Sequence, residues 1–207
     1  MNQNAVLSCS VNSEDYIFLD IECCDGNHIC SVGYVICDEK FNVIEKKDIL
    51  INPEKRFKLA RAGFDSKIHL AYKPEEFQDK PSFKQMYSTI RKLLNNKVII
   101  GHSIMGDIGY LKNACTRYKL KPFNNKSFCT QLFFMRTKKE RHVKSLVKII
   151  DELGIDGTEF TLHKSCDDAH LSMLVMKELC KETNQTLEEI LRAKFSDRNN
   201  ILSSNKK

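Results

Sequence analysis

Three places in the sequence put acidic side chains where the end of a strand or the start of a helix could aim them into a cleft. Asp20 and Glu22 close an apolar, β-prone run. Asp107 falls in the first turn of a helical pattern, and Asp168 follows His163 by five residues at the start of another helix. Carboxylates are the ligands that hard divalent cations prefer, and a histidine exchanges protons near neutral pH. Each motif is weak evidence alone, since short motifs arise often by chance.

The first half of the chain predicts three strands. Residues 16–22, 29–37 and 42–51 are rich in apolar and β-branched residues. The connection 38–41 is polar and short enough for an antiparallel hairpin, so these strands are expected to form an antiparallel meander. Residues 55–81 are polar and irregular, which predicts loops with short helices.

The second half alternates short apolar runs with helical patterns, which predicts parallel strands joined by helices. After the last helix, a polar tail is expected to fray. The predicted elements are, in order, a helix capped by Ser82 and stopped at Asn95, a strand at 97–100, a helix starting near Asp107, an apolar run at 126–135, helices at 143–153, 167–180 and 187–195, and the tail at 196–207.

Composition restricts the class of protein. The chain has 207 residues, 42% of them hydrophobic, with only 8 Gly and 4 Pro, which indicates one folded domain and excludes disordered and fibrous classes. No apolar run approaches the roughly 18 residues of a membrane-spanning helix. Residues 1–13 do not resemble a secretory signal, so a cytoplasmic location and no membrane partner are expected.

Cysteines and charge add two expectations. The nine cysteines are odd in number and show no Cys-x-x-Cys spacing, so we expect reduced thiols that fill the core rather than disulfides or a zinc site. The formal charge is +6, and basic residues cluster at 112–126 and 136–148. Such clusters suit phosphate contacts, although a solvated helix surface explains the charge pattern equally well.

Taken together in this order, the acidic motifs resemble those of the DEDDh exonucleases, a ribonuclease H-like family that includes the epsilon subunit of DNA polymerase III and RNase T. Residues 18–22 (Phe-Leu-Asp-Ile-Glu) look like the first motif. Residues 100–111 are similar to the second, usually Gly-His-Asn-x-x-Phe-Asp-x-x-x-Leu, and residues 163–169 to the third, His-x-x-x-x-Asp-Ala. The resemblance implies an exonuclease domain at 14–182, followed by a C-terminal helix and polar tail at 183–207.

The resemblance implies a fold, a metal site and a reaction. The fold is a mixed five-stranded α/β sheet, with a three-stranded antiparallel meander plus parallel strands, flanked by helices. Asp20, Glu22, Asp107 and Asp168 are expected to hold two Mg²⁺ or Mn²⁺ ions, because four carboxylates in one cleft repel each other unless cations neutralise them. His163 is expected to be the general base. The reaction is 3′→5′ hydrolysis of nucleic acid with a free 3′ end, which releases 5′-mononucleotides.

The sequence departs from the family pattern at several positions. Cys23 and Cys24 stand where the family usually has threonine and are candidates for contacting the substrate at the turn after Glu22. His102 resembles the second-motif histidine and is a further substrate-binding candidate with a supporting role. Ser103 and Gly106 replace the Asn and Phe of that motif, which is expected to weaken packing and not metal ligation.

Alternatives remain for single residues and for the whole chain. Asp107 is open to a role as a helix N-cap, and Asp167 is expected to be a cap. The chain as a whole is open to two other functions: a non-catalytic nucleic-acid-binding or polymerase-associated module of the same fold, or another ribonuclease H-like activity such as an endonuclease or integrase. Preference between DNA and RNA, a polymerase partner and a homodimer partner are left open.

Overall fold

The computed structural model describes residues 15–59 and 69–204, with the side chains of 196–204 excepted. The predictions for residues 1–13, for Cys9, for part of the 55–81 loop and for the last tail residues lie outside this described part. The elements are, in order, β1 (Tyr16–Cys23), β2 (Ile29–Cys37), β3 (Val43–Leu50), a 3₁₀ turn (Pro74–Phe77), α1 (Phe83–Leu94), β4 (Ile99–Gly101), α2 (Met105–Arg117), β5 (Ser127–Cys129), α3 (Thr130–Thr137), α4 (Leu146–Glu152), α5 (Ser165–Thr183) and α6 (Leu187–Ser204).

The strands form one sheet in the order β3-β2-β1-β4-β5. β1 pairs antiparallel with β2, and β2 pairs antiparallel with β3, while β1–β4 and β4–β5 are parallel. Every residue of β2 is buried, as its run of small and apolar side chains requires of a strand covered on both faces. The predicted mixed five-stranded sheet, with its antiparallel meander, is confirmed.

Alternation along β1 assigns its side chains to two faces. Ile17, Leu19 and Ile21 pack into the core formed with α1 and α2. Phe18 packs into the opposite core, against α5 and α6. Because successive side chains of a strand point to opposite faces, the even-numbered acids Asp20 and Glu22 lie on the face of Phe18, which α5 covers.

Several predicted boundaries differ from the structure. α2 begins at Met105, two residues before the predicted start near Asp107, and α4 begins only after Ser145, so residues 143–145 precede the helix. The apolar run 126–135 divides into strand β5 and helix α3. The tail predicted to fray from residue 196 continues α6 to Ser204, since no Gly or Pro interrupts it.

The eight cysteines in the described part are all free, and all but Cys129 are buried. This confirms, for those residues, the prediction of reduced thiols that fill the core. Within the same part of the chain, no helix combines the length and apolarity needed to cross a bilayer.

Gly33 on β2 allows α5 to begin directly against the sheet. A Cβ at this position would lie 2.0 Å from the carbonyl carbon of Ser165 and 2.1 Å from the nitrogen of Cys166, both backbone atoms. We therefore expect Gly33→Ala to destabilise the protein by about 1–3 kcal/mol or more, because a helix backbone must move to accept one methyl group. The free energy of unfolding measured in urea tests this.

Gly106 is the matched control for Gly33. No atom lies within 4 Å of a Cβ built there, and the residue is in α2. Gly106→Ala should therefore stabilise the protein by about 0.5–1 kcal/mol through the lower backbone entropy of Ala in the unfolded chain. Equal unfolding free energies for the two variants would contradict the packing of α5 on Gly33.

Candidate active site

The first two acids of the site lie at the end of β1. Asp20 pairs across the sheet with Gly33, and Glu22 with Ser31. Paired residues of neighbouring strands point to the same face, so both carboxylates lie beside the place where α5 begins. The side chain of Glu22 is only 15% exposed. The strand therefore delivers two carboxylates, two residues apart, into a partly buried cleft.

Asp107 reaches the same strand from α2. Its Oδ1 accepts the backbone N–H of Ile21 at 3.0 Å, and the residue is 6% exposed. The N-cap position of α2 is Ile104, so the N-cap alternative for Asp107 is wrong. The carboxylate instead ties the first turn of α2 to the backbone between Asp20 and Glu22.

Asp168 joins the cleft from the first turn of α5. Its Oδ2 accepts the backbone N–H of His163 at 2.9 Å. Its Oδ1 is buried without a hydrogen-bond partner among the described residues. A buried carboxylate oxygen without a partner is costly, and its position in an acidic cleft suits it to bind a cation.

The start of α5 is held by a residue that the sequence analysis missed. Lys164 occupies the N-cap position without a side-chain cap. Asp48 on β3 takes that role from across the sheet, since its Oδ1 accepts the Ser165 hydroxyl at 2.8 Å and the Cys166 N–H at 2.7 Å. The Ser165 hydroxyl also contacts that of Ser31 at 2.5 Å. No local feature of the sequence points to Asp48, which lies 117 positions before Ser165.

His163 lies at the mouth of the cleft in a left-handed conformation, with φ of 61°. Its Nδ1 is 3.8 Å from Oε1 of Glu22, and its carbonyl accepts the N–H of Ala71 at 3.1 Å. The ring stacks on His69, with centroids 5.5 Å apart and planes 27° apart. The two histidines are 94 positions apart in the sequence, and no local pattern links them.

The acids of the cleft hold their protons unusually tightly. Burial, followed by repulsion from Asp107, Glu22 and Asp168, raises the pKa of Asp20 well above its ordinary value. Burial and repulsion from Asp168 raise the pKa of Glu22 to about 8. Burial raises the pKa of Asp107 to about 8 and that of Asp168 to about 6, against the opposing effect of their backbone hydrogen bonds. Full ionisation of all four requires positive charge in the cleft.

A divalent cation fits the geometry of three residues of the cleft, two acids and a histidine. Ligand atoms of Glu22, His163 and Asp168 lie within 4.8 Å of one another. The unpaired Oδ1 of Asp168 supplies an open oxygen, and the carboxylate set suits Mg²⁺ or Mn²⁺ better than a soft metal. Among the described residues, Glu22, His163 and Asp168 are the group of acidic and histidine side chains whose geometry could hold an ion.

The predicted substrate contacts are placed differently from the acids. Cys23 and Cys24 are 5% and 0% exposed, and burial raises the pKa of the Cys24 thiol to about 12. Their thiols face the core, so contact with a substrate stays a prediction for the backbone of this turn. His102 is half-buried, and burial lowers the pKa of its ring to about 4. Its ring nitrogens form no well-aligned hydrogen bond to the described residues.

Asp167 does not cap α5, which corrects the prediction. Its carboxylate pairs with Lys46 of β3 at 2.5 Å and with Lys164 at 3.6 Å, and it accepts the N–H of Thr161 at 3.1 Å. These contacts hold β3 and the segment before α5 together. Asp167 therefore points away from Asp168 and the cleft, as neighbouring positions on a helix do.

Comparison with known proteins gives the chain its family. The RNase T family, described as "Exonuclease", matches residues 17–176. The fold resembles Exonuclease X in complex with 5′ overhanging duplex DNA (TM-score 0.60, 13% identity, 84% of this chain and 95% of that one). It also resembles the nuclease domain of 3′hExo, a DEDDh family member, bound to rAMP (TM-score 0.65, 16% identity, 81% and 91% covered).

A larger enzyme shares only part of its length with this chain. E. coli exonuclease I in complex with a dA16 oligonucleotide matches at a TM-score of 0.63 and 15% identity, over 82% of this chain and 41% of that one. No curated protein matches the chain significantly in sequence. From the family match over residues 17–176, most of its length, the chain belongs to the exonuclease family RNase T.

Proposed function

We propose that this protein is a metal-dependent 3′→5′ exonuclease that hydrolyses single-stranded nucleic acid and releases 5′-mononucleotides. The observation that carries the proposal is the meeting of four carboxylates from β1, α2 and α5 in one cleft, with the His163 ring 3.8 Å from Glu22 at its mouth. A nuclease is already the coarse function that the family supports. The cleft adds a site for metals and a proton acceptor.

The acids divide into two proposed ligand sets. Asp20, Glu22 and Asp168 would hold one ion, and Asp20 with Asp107 the other. Bound there, divalent ions would offset the negative charge of the phosphodiester and stabilise the charge that develops during in-line displacement. The protein's part is to fix the carboxylates, through the Ile21 N–H on Asp107 and the His163 N–H on Asp168.

His163 is proposed to accept the proton of the attacking water. Its side chain is 53% exposed, so water reaches the ring, while its backbone is held on both sides by Asp168 and Ala71. Burial, and to a lesser extent His69, lowers the pKa of the ring below its ordinary value. The imidazole is therefore neutral and able to accept a proton at pH 7.

The substrate class rests on similar proteins and on the site. The similar structures include complexes with duplex DNA that has a 5′ overhang, with a dA16 oligonucleotide and with rAMP. They support a nucleic-acid substrate with an accessible end and leave both DNA and RNA as candidates. Association with a polymerase chain or a second copy, and a cytoplasmic location, stay predictions.

A product time course tests the proposal. Single-stranded DNA, duplex DNA and RNA of one sequence, each labelled at the 5′ end, are incubated with the protein and Mg²⁺ or Mn²⁺. We expect a ladder of labelled products that shortens one nucleotide at a time, unlabelled 5′-mononucleotides, and no reaction in EDTA.

Three results would contradict the proposal. Immediate release of a labelled mononucleotide would show digestion from the 5′ end. Cleavage of a circular single strand would indicate an endonuclease. Binding without any product under all metal conditions would favour the non-catalytic module.

A further inference from the structure

Two neighbouring cavities open along the edge strand β5, the first on the side of the sheet that α6 covers and the second beside α1. The first has a volume of about 610 Å³ and lies between β5, α3 and α6. The second, of about 480 Å³, lies at the end of α1. Both are lined by Asn124, Asn125 and Lys126, so they adjoin at the segment before β5, and together we call them the β5 groove.

The β5 groove is basic throughout. Its lining includes five basic side chains and no acidic one: Arg91, Lys97, Lys126, Arg136 and Lys194. In the described part of the chain, Arg91, Lys126, Arg136 and Lys194 form no ion pair with a carboxylate. By contrast, a smaller cavity beside the β2–β3 turn is lined by acids as well as lysines. The absence of lining acids makes the β5 groove a surface complementary to a polyanion.

Apolar and amide side chains lie between these charges. Phe123, Phe128, Phe133 and Phe195 line the groove, and Lys126 Nζ lies 5.0 Å from the centre of the Phe195 ring. Met105 is 64% exposed at one end of the groove. Basic residues interleaved with aromatic and apolar surfaces are the arrangement that binds the backbone and bases of a single strand.

The groove begins near the acidic cleft. Cys129 pairs with Gly101 of β4, which follows Ile100, the partner of Phe18 in β1. Cys129 is therefore level with Leu19, the residue before Asp20. The two backbones are two strand spacings apart, which is roughly 10 Å. From there the groove follows β5 toward Asn124 and the start of β4, away from the cleft.

We propose that the β5 groove binds the single strand on the 5′ side of the nucleotide held in the cleft. The inference rests on the proposed exonuclease function, and it adds a second contact region that the acidic motifs do not include. It also gives a role to two residues of the basic clusters of the sequence. Lys138 and Lys144 are paired with acids, whereas Lys126 and Arg136 face the groove.

The test measures binding and hydrolysis separately. Anisotropy in EDTA reports binding of a 5′-labelled single-stranded DNA 12-mer and of a trinucleotide to the wild type and to the double variant Lys126→Gln/Arg136→Gln. We expect about tenfold weaker 12-mer binding and a salt slope smaller by about 1.4, which is two phosphate contacts at about 0.7 each. Trinucleotide binding should not change. With Mg²⁺ or Mn²⁺, KM for the 12-mer should rise while kcat is retained.

Controls make the outcomes decisive. Lys40→Gln/Lys84→Gln removes the same charge from exposed positions outside the β5 groove and should bind both oligonucleotides as wild type does. Lys194→Gln, on α6, should reproduce part of the effect, and thermal unfolding confirms that each variant is folded.

Unchanged 12-mer binding in the groove variants, or an equal loss for the trinucleotide, would overturn the inference. So would a changed sedimentation coefficient with unchanged binding, which would make the groove an interface between copies. If the wild type hydrolyses nothing, the proposed function fails. The binding comparison in EDTA still shows whether the β5 groove binds single-stranded DNA.

Discussion

Asp20→Asn is expected to lower metal-dependent hydrolysis by at least about 10³-fold, which is about 4 kcal/mol of transition-state stabilisation. Asp20 is the acid proposed to contact both ions, so its loss affects both ligand sets. The amide is nearly the same size as the carboxylate, and β1 is paired with β2 at Asp20 and with β4 at Ile17 and Phe18. The fold is therefore expected to persist while activity is lost.

The same change should stabilise the metal-free protein. Burial and three neighbouring acids raise the pKa of Asp20 well above its ordinary value, and the pKa values of Glu22 and Asp107 are raised to about 8. Between pH 5 and about 8 the folded state therefore binds more protons than the unfolded state, and stability falls as pH rises. Removing one of the acids should raise the thermal midpoint in EDTA at pH 8 and flatten its dependence on pH.

Metal titrations and a matched carboxylate complete this test. Wild-type protein should release protons when Mn²⁺ binds at pH 7, visible as a buffer-dependent heat in calorimetry. Asp38→Asn is the control, because hydrogen bonds from the side chain and backbone of Asn42 lower the pKa of Asp38 in the β2–β3 turn. It should leave activity unchanged and should not stabilise the protein. Wild-type hydrolysis by Asp20→Asn would exclude the proposed ligand role.

The sequence predicted those parts of the site that follow from local periodicity. Asp20 and Glu22 are two residues apart in a strand, so their side chains had to lie on one face of the sheet. The same alternation of side chains places them on the face of Phe18, which α5 covers. An acid in the first turn of each of two helices was also a local pattern. Because parallel strands and their helices bring such ends to one edge of a sheet, local pattern and fold class together were sufficient to place the four carboxylates.

The parts that could not be predicted depend on contacts between distant segments. Asp48 caps α5 from β3, 118 positions before Cys166, and its sequence neighbours are those of an ordinary strand. His69 meets His163 only because the loop that follows it hydrogen-bonds to the His163 carbonyl through Ala71. Asp107 looked like a cap because its partner, the Ile21 N–H, belongs to another element. In each case a contact between distant segments, and not a local pattern, decided the role of the residue.

His163→Asn is expected to reduce kcat by about 10²- to 10⁴-fold, the usual contribution of a positioned general base. Asn is the appropriate replacement because it tolerates the left-handed backbone at φ of 61° and keeps the N–H that Asp168 accepts. If His163 is the base, the affinity for Mn²⁺ and for substrate should change little. A large loss of Mn²⁺ affinity would instead make His163 a metal ligand, as its distance to Glu22 and Asp168 also allows.

The dependence of kcat on pH separates the base from a structural histidine. Since burial and His69 lower the pKa of His163, the wild-type rate at saturating metal should rise with pH, and the midpoint of that rise should lie below the ordinary pKa of histidine. That acidic limb should disappear in His163→Asn and be retained in His142→Asn, which changes an exposed histidine. His69→Phe keeps a ring for His163 to stack on and removes the second imidazole, so its limb should shift toward higher pH while kcat at the plateau is preserved. An unchanged limb in His163→Asn would assign the titration to another group and leave His163 without the proposed role.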